Sequence, residues 1–129
     1  MLRKISGILL FSLCLIACYM NYADRIAYSP QPPDRACNIM ATVLENLGYK
    51  VTEKNEAPNV LITSKPYIWA EKSFKEPEGK IKATIGFARI QGETRASIHL
   101  DWIGKSQIKD QILKDATAEI SVAFEAASK

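Results

Sequence analysis

Residues 80–103, Lys80-Ile81-Lys82-Ala83-Thr84-Ile85-Gly86-Phe87-Ala88-Arg89-Ile90-Gln91-Gly92-Glu93-Thr94-Arg95-Ala96-Ser97-Ile98-His99-Leu100-Asp101-Trp102-Ile103, hold the pattern that decides the fold. Two runs of alternating apolar and polar residues flank Gln91-Gly92-Glu93-Thr94. A period of two marks a strand with one buried face. Glycine first in a two-residue loop suits a type II′ hairpin turn, which pairs Gln91 with Thr94. That register sets Phe87 opposite Ile98, Ile85 opposite Leu100 and Ala83 opposite Trp102, so the apolar faces of the two strands coincide. The other face carries Thr84, Gly86 and Ala88 against Ser97, His99 and Asp101.

Downstream of this hairpin, Ser106 is placed to cap a helix whose Ile108, Ile112, Leu113, Ala116, Ile120, Ala123, Phe124 and Ala127 form one stripe. Upstream, 71–79 reads as an exposed loop. Tyr49-Lys50-Val51-Thr52-Glu53 and residues 60–64 read as two strands joined across Asn55-Glu56-Ala57-Pro58. Lys65-Pro66-Tyr67-Ile68-Trp69 extends the second of them, with Pro66 marking an edge or bulge because proline cannot donate to a ladder. A first helix is expected after Pro32-Pro33, with Asp34 as its N-cap, Ala36, Cys37, Met40, Val43, Leu44 and Leu47 on its apolar stripe and Gly48 as its stop. The order is α-β-β-β-β-α. Two amphipathic helices and one half-apolar sheet each need a cover, and placing both helices on one face satisfies all three. The expectation is a two-layer α+β domain with a four-stranded antiparallel sheet.

The N-terminal quarter has a different character. Arg3 and Lys4 precede an apolar run, Ile8 to Ile16, and a small residue, Ala17: the three parts of a secretion signal over residues 1–17. The run is too short to span a bilayer, which takes about 20 apolar residues. Residues 18–33, ending in Ser29-Pro30-Gln31-Pro32-Pro33, read as a proline-rich tether, and 34–129 as the folded domain.

The tetrapeptide Leu15-Ile16-Ala17-Cys18 resembles the bacterial lipobox. The resemblance implies cleavage before Cys18, a diacylglycerol on its thiol, acylation of its new amine by a chain such as palmitate, and a membrane anchor facing the periplasm. Tyr19, rather than Asp, follows the cysteine, which in enteric bacteria implies the outer membrane. The stretch from Val43 to Glu53, followed by Asn59-Val60-Leu61-Ile62-Thr63-Ser64, is similar to the helix-grip domains of envelope lipoproteins such as the lipoprotein subunit of the barrel-assembly machinery. That likeness speaks to fold far more than to function.

Charge and residue types narrow the function classes. The formal net charge is +3, and loss of Arg3 and Lys4 with the signal leaves 15 basic against 14 acidic side chains. A nucleic-acid binder needs a basic stripe. Here Lys65, Lys72, Lys75, Lys80 and Lys82 are interrupted by Glu71, Glu76 and Glu78, as in a solvated loop. One histidine and one cysteine in the domain cannot close a metal site, and no cofactor motif occurs. A disulfide between Cys18 and Cys37 would compete with lipidation, and a thioether-linked lipid would forbid it. Cys37, on an apolar stripe, reads as a small buried hydrophobe.

Ser97, His99 and Asp101 are the residue types of a hydrolytic triad. Alternate residues on a strand lie about 6.6 Å apart, too far for all three to touch, so the expectation is a polar outer face and no catalytic residue. The candidate partner-binding residues are Tyr67, Trp69 and Phe74, around the proline-marked strand and the following loop, and His99 on the outer face. The reading is a non-catalytic envelope lipoprotein that binds a protein partner. A small-ligand or lipid-binding module, and an enzyme whose site is assembled from distant residues, are the alternatives.

Overall fold

The computed structural model describes residues 21–56 and 65–129. Its elements run β1 (Tyr22–Ser29), α1 (Pro33–Asn46), β2 (Lys50–Asn55), β3 (Tyr67–Lys75), β4 (Glu78–Ile90), β5 (Glu93–Ile103) and α2 (Lys109–Ala127). The class is α+β. Among the described residues the sheet is antiparallel with five strands, in the order β1-β5-β4-β3-β2.

The central hairpin forms, with a shifted register. Its loop is Gln91-Gly92, because Ile90 pairs with Glu93. Both loop residues have positive φ, 51° and 84°, which is the type I′ requirement, and that turn's twist matches the flanking strands. Phe87 therefore faces Ala96, Ile85 faces Ile98, Ala83 faces Leu100 and Ile81 faces Trp102. The expected pairing was two residues out of step. A slip of two preserves side-chain parity, so every residue lies on the face expected of it.

One strand stands where none was expected, and β3 runs on past the expected extension at Tyr67-Ile68-Trp69. Tyr22–Ser29, within the expected tether, is β1 and pairs along its whole length with β5. On its inward parity Ala23, Ala27 and Ser29 are small, with Ala27 and Ser29 fully buried, and Arg25 is exposed, while its tyrosines and isoleucine face outward, the reverse of an ordinary core strand. Part of the expected loop at 71–79 belongs to β3, which pairs with β4 through a two-residue Glu76-Pro77 loop. Pro66 precedes β3, and its carbonyl accepts a hydrogen bond from the Phe87 amide. The strand expected at 60–64 lies outside the described residues.

Both helices cover one face. α1 packs on β2, β3 and β4, α2 on β1 and β5, and the helices touch each other. α1 begins at Pro33, with Pro32 as N-cap, so Asp34 sits in the first turn, where its charge faces the positive end of the helix dipole, and makes no side-chain cap. Its C-terminus closes as a Schellman motif: the Gly48 amide donates to Glu45 and the Tyr49 amide to Leu44, with Gly48 at φ 92°. Ser106 Oγ accepts from the Ile108 amide just before α2 and is not its N-cap. Ile108 and Ala127 lie off the buried stripe, which runs through Leu113, Thr117, Ile120, Ser121 and Phe124.

Between the layers, Phe87 meets Phe124 edge to face at 6.3 Å, among Met40, Leu44, Ile68, Ile85, Ile98, Leu100 and Ile120, all with essentially no exposure. Each buried side chain of this size contributes about 1.5–3 kcal/mol. Ala36, Ala41, Ala70, Ala83 and Ala96 let the layers approach closely. Cys37 is buried, its thiol pointing at the carbonyls of Asn55 and Tyr67 at 3.9 and 3.8 Å. Burial pushes that thiol up to about 11.

Candidate functional site

The outer sheet face, away from both helices, gathers exposed aromatic and titratable side chains because strand alternation sends every second residue there. The register arranges them in rows. Asp24, His99, Thr84, Trp69 and Glu53 make one row across the five strands; Ile26, Ser97, Gly86, Tyr67 and Asn55 make the next. Along β4 the lane Thr84, Gly86, Ala88 is low, and a Cβ built on Gly86 meets nothing within 4 Å. β3 and β5 bound it, about 10 Å apart across two strand spacings.

On the β3 side, Tyr67 and Trp69 lean together, with ring centroids 5.5 Å apart and planes at 40°. Trp69 keeps 50% of its surface exposed. Beside it lies a hollow of about 240 Å³ lined by Thr52, Trp69, Glu71, Lys82 and Thr84, with Ala70 and Ala83 at its base. Thr52 reaches this position because a bulge between Val51 and Glu53 leaves it unpaired, and its hydroxyl donates to the Trp69 carbonyl at 3.1 Å.

On the β5 side, His99 is held between two carboxylates. Nδ1 lies 2.5 Å from Asp24 on β1, the residue directly opposite it, and Nε2 lies 3.1 Å from Asp101, two residues along its own strand. Tyr22 stacks on the ring at 5.5 Å. Partial burial works against the imidazolium, but the hydrogen bond to Asp24 and the charges of Asp101 and Asp24 outweigh it, and the histidine's pKa is raised. Two carboxylate acceptors at one ring are satisfied together only when both nitrogens carry protons. The side chains of His99 and Asp101 thus bridge a gap that strand spacing alone leaves open. Both ring nitrogens are committed to carboxylates, and neither is directed at Ser97.

Phase with the sheet separates the expected site residues. Tyr67, Trp69 and His99 share the outer face, on opposite banks of the small-residue lane. Phe74 does not join them: it is half-buried on the inner side, its ring 5.5 Å from Trp102 and beneath the Lys72 ammonium, which also lies over Tyr49. Cys18 lies outside the described residues. The lysines and glutamates expected in a loop stand largely on strands, with Lys80 paired to Glu71 at 3.0 Å. Among the described residues no group of His, Cys, Asp or Glu could hold a metal ion.

Sequence reasoning missed Asp24, Tyr22, Ile26 and Tyr28, all brought to this face by β1. The signal available was a period of two in the large residues Tyr22, Ile26 and Tyr28. Because their partners Ala23, Ala27 and Ser29 are small, that alternation carries no core-forming face to recognise.

No protein-family profile matches the chain, and no curated protein matches it. Solved structures resemble it in shape. Ara h 8.0201 superposes with a TM-score of 0.51 at 12% identity, over 81% of this chain and 95% of that one. The 18 kDa protein CC1736 of Caulobacter crescentus gives 0.46 at 14% identity, over 84% and 96%. TTHA0849 of Thermus thermophilus gives 0.43 at 14%, over 83% and 96%. At such identities the first of these likenesses concerns fold alone.

Proposed function

We propose that this chain is a non-catalytic envelope lipoprotein, held by a lipid on Cys18 and facing the periplasm from the outer membrane in a Gram-negative cell, whose outer sheet face binds a protein partner. The observation that carries the binding part is Trp69: a large aromatic, half exposed, set beside Tyr67 at the margin of a lane of small residues. Aromatic side chains that supply rigid apolar area are the usual energetic centres of interfaces. Tyr22, Ile26 and Tyr28, each close to half exposed, continue the apolar surface on the far bank. The occupation of both His99 nitrogens supports a structural part for this histidine rather than acid–base work. The anchor rests on the lipobox-like residues 15–18. An accessory subunit of an envelope assembly or secretion complex fits both features.

The hollow beside Trp69 favours a second reading, a small ligand seated against the indole with Glu71 and Lys82 as polar contacts. One experiment separates the two. A photo-crosslinking side chain at Thr84, in the full chain in intact cells, should capture one discrete envelope protein. Trp69→Ala should abolish that adduct without moving the unfolding midpoint of the purified protein. An adduct unchanged by Trp69→Ala, or no adduct at all, would remove the protein-partner reading; the latter together with ligand-dependent Trp69 fluorescence would install the other.

A further inference from the structure

The end of the domain from which the chain runs back toward Cys18 has a composition of its own. Asn21, the residue before β1, is fastened there: its carbonyl accepts from the Trp102 amide, and its side-chain oxygen accepts from Lys109 Nζ at the start of α2. The β5–α2 connection, Gly104-Lys105-Ser106-Gln107, begins beside it, bracketed by Ile103 and Ile108. These isoleucines are 44% and 57% exposed, although Ile103 directly follows the buried Trp102 and Ile108 is the N-cap of α2. The connection is braced from below. Gly104 has φ 137°, and a Cβ there would lie 2.8 Å from the Glu78 carbonyl and 2.9 Å from Gly79 Cα, so the β3–β4 turn and this connection lie backbone to backbone.

Only three residue steps separate Cys18 from Asn21, a reach of at most about 11 Å. We propose that the connection between β5 and α2 is a membrane-contacting edge, with Ile103 and Ile108 set into the headgroup region of the bilayer that holds the lipid of Cys18. The proposal rests on the anchor reading. The occupant follows from the reach: an acyl anchor that close to Asn21 brings the two isoleucines to the lipid before any standing partner, and exposed aliphatic side chains beside a lysine are the usual furniture of an interfacial contact. Charge takes little part, because Glu76 and Glu78 of the neighbouring turn offset Lys75 and Lys105. The consequence is a fixed orientation: the long axis of the sheet rises from the membrane, the outer face stands accessible from the side, and the Gln91-Gly92 turn lies at the far end of the 13-residue β4, roughly 40 Å away.

The test uses the full chain made in a bacterium, purified with its lipid and placed in phosphatidylethanolamine–phosphatidylglycerol vesicles. Ile103→Cys, Ile108→Cys and Gln91→Cys are each labelled with an environment-sensitive fluorophore. Buried Cys37, its thiol pushed up to about 11, competes poorly for label. Lipid-borne quencher should dim the labels at 103 and 108 severalfold more than the label at 91, and aqueous quencher should do the opposite. Incorporation of labelled fatty acid, lost in Cys18→Ala, is scored in parallel. Fatty acid on the protein with equal quenching at all three positions would overturn the contact and leave the anchor standing. Absence of fatty acid would overturn the anchor, and the contact with it.

Discussion

Removing β1 should unfold the domain, even though the strand contributes hardly any large side chain to the core. Ala23, Arg25, Ala27 and Ser29 turn their backbones toward β5, where they face Leu100, Ile98, Ala96 and Thr94; the Trp102-to-Asn21 bond fixes that parity. Such pairs exchange two bonds each, about eight in all. At about 1 kcal/mol net for each bond the ladder contributes roughly 8 kcal/mol. Deletion also uncovers the part of α2 that packs on β1 and strips the partner from Thr94, whose hydroxyl donates to the Gln31 carbonyl. A domain of this size has a total stability of about 5–15 kcal/mol. A fragment of residues 21–129 should therefore unfold cooperatively on heating, whereas residues 34–129, the boundary that the proline-rich stretch suggests, should show no cooperative transition by circular dichroism. A sharp transition in the shorter fragment, within a few degrees of the longer one, would refute the reasoning and return β1 to the role of a tether.

Leu100→Ala, at a position without exposure, should cost about 2–5 kcal/mol in denaturant unfolding through lost burial and a cavity, whereas Ser97→Ala on the outer face should stay within about 0.5 kcal/mol; similar losses would put the faces in doubt. Gly104→Ala should lower the thermal midpoint and cost roughly 1–3 kcal/mol, since the new Cβ meets backbone atoms on the adjoining turn; an unchanged midpoint would show that the two loops are not in contact. The raised pKa of His99 has a definite sign. Its favourable interactions with Asp24 and Asp101 are fully present below the unfolded value of about 6.5 and fade as pH rises through the higher folded value. Stability should thus fall from pH 6 toward pH 9, by less than about 1 kcal/mol because the site is partly exposed, and His99→Gln should flatten that slope; an equally steep slope in the variant would assign it elsewhere.

The faces of the central hairpin were legible because alternation is insensitive to a slip of two, and for the same reason the alternation of 80–103 could not say that the turn was Gln91-Gly92. The later part of β3 was hidden by Lys72, an inward residue whose ammonium sits over the rings of Tyr49 and Phe74 and whose charge makes the segment look solvated. β1 was hidden by an inversion: its alanines and serine face the core while its tyrosines and isoleucine face out, so hydrophobicity points the wrong way. Half of the candidate site went unseen with it. Asp24 becomes a partner of His99 only when β1 lies against β5, and that pairing between residues 75 apart in sequence leaves no local trace. Phe74 was misplaced because residues 71–79 read as a loop, where an aromatic looks free, instead of a strand, where parity turns it inward.

The placement of β1 also decides how the domain would bear load. A pull transmitted from residue 21 runs along the axis of β1, at right angles to the ladder bonds that join it to β5. Those bonds would be strained in parallel, as in shear, and would have to yield together; a pull across the strand would open them one at a time, like a zipper. The domain is thus gripped in its mechanically resistant direction, and a protein hung from a membrane by that end could be dragged against its surroundings without being unravelled from the point of attachment.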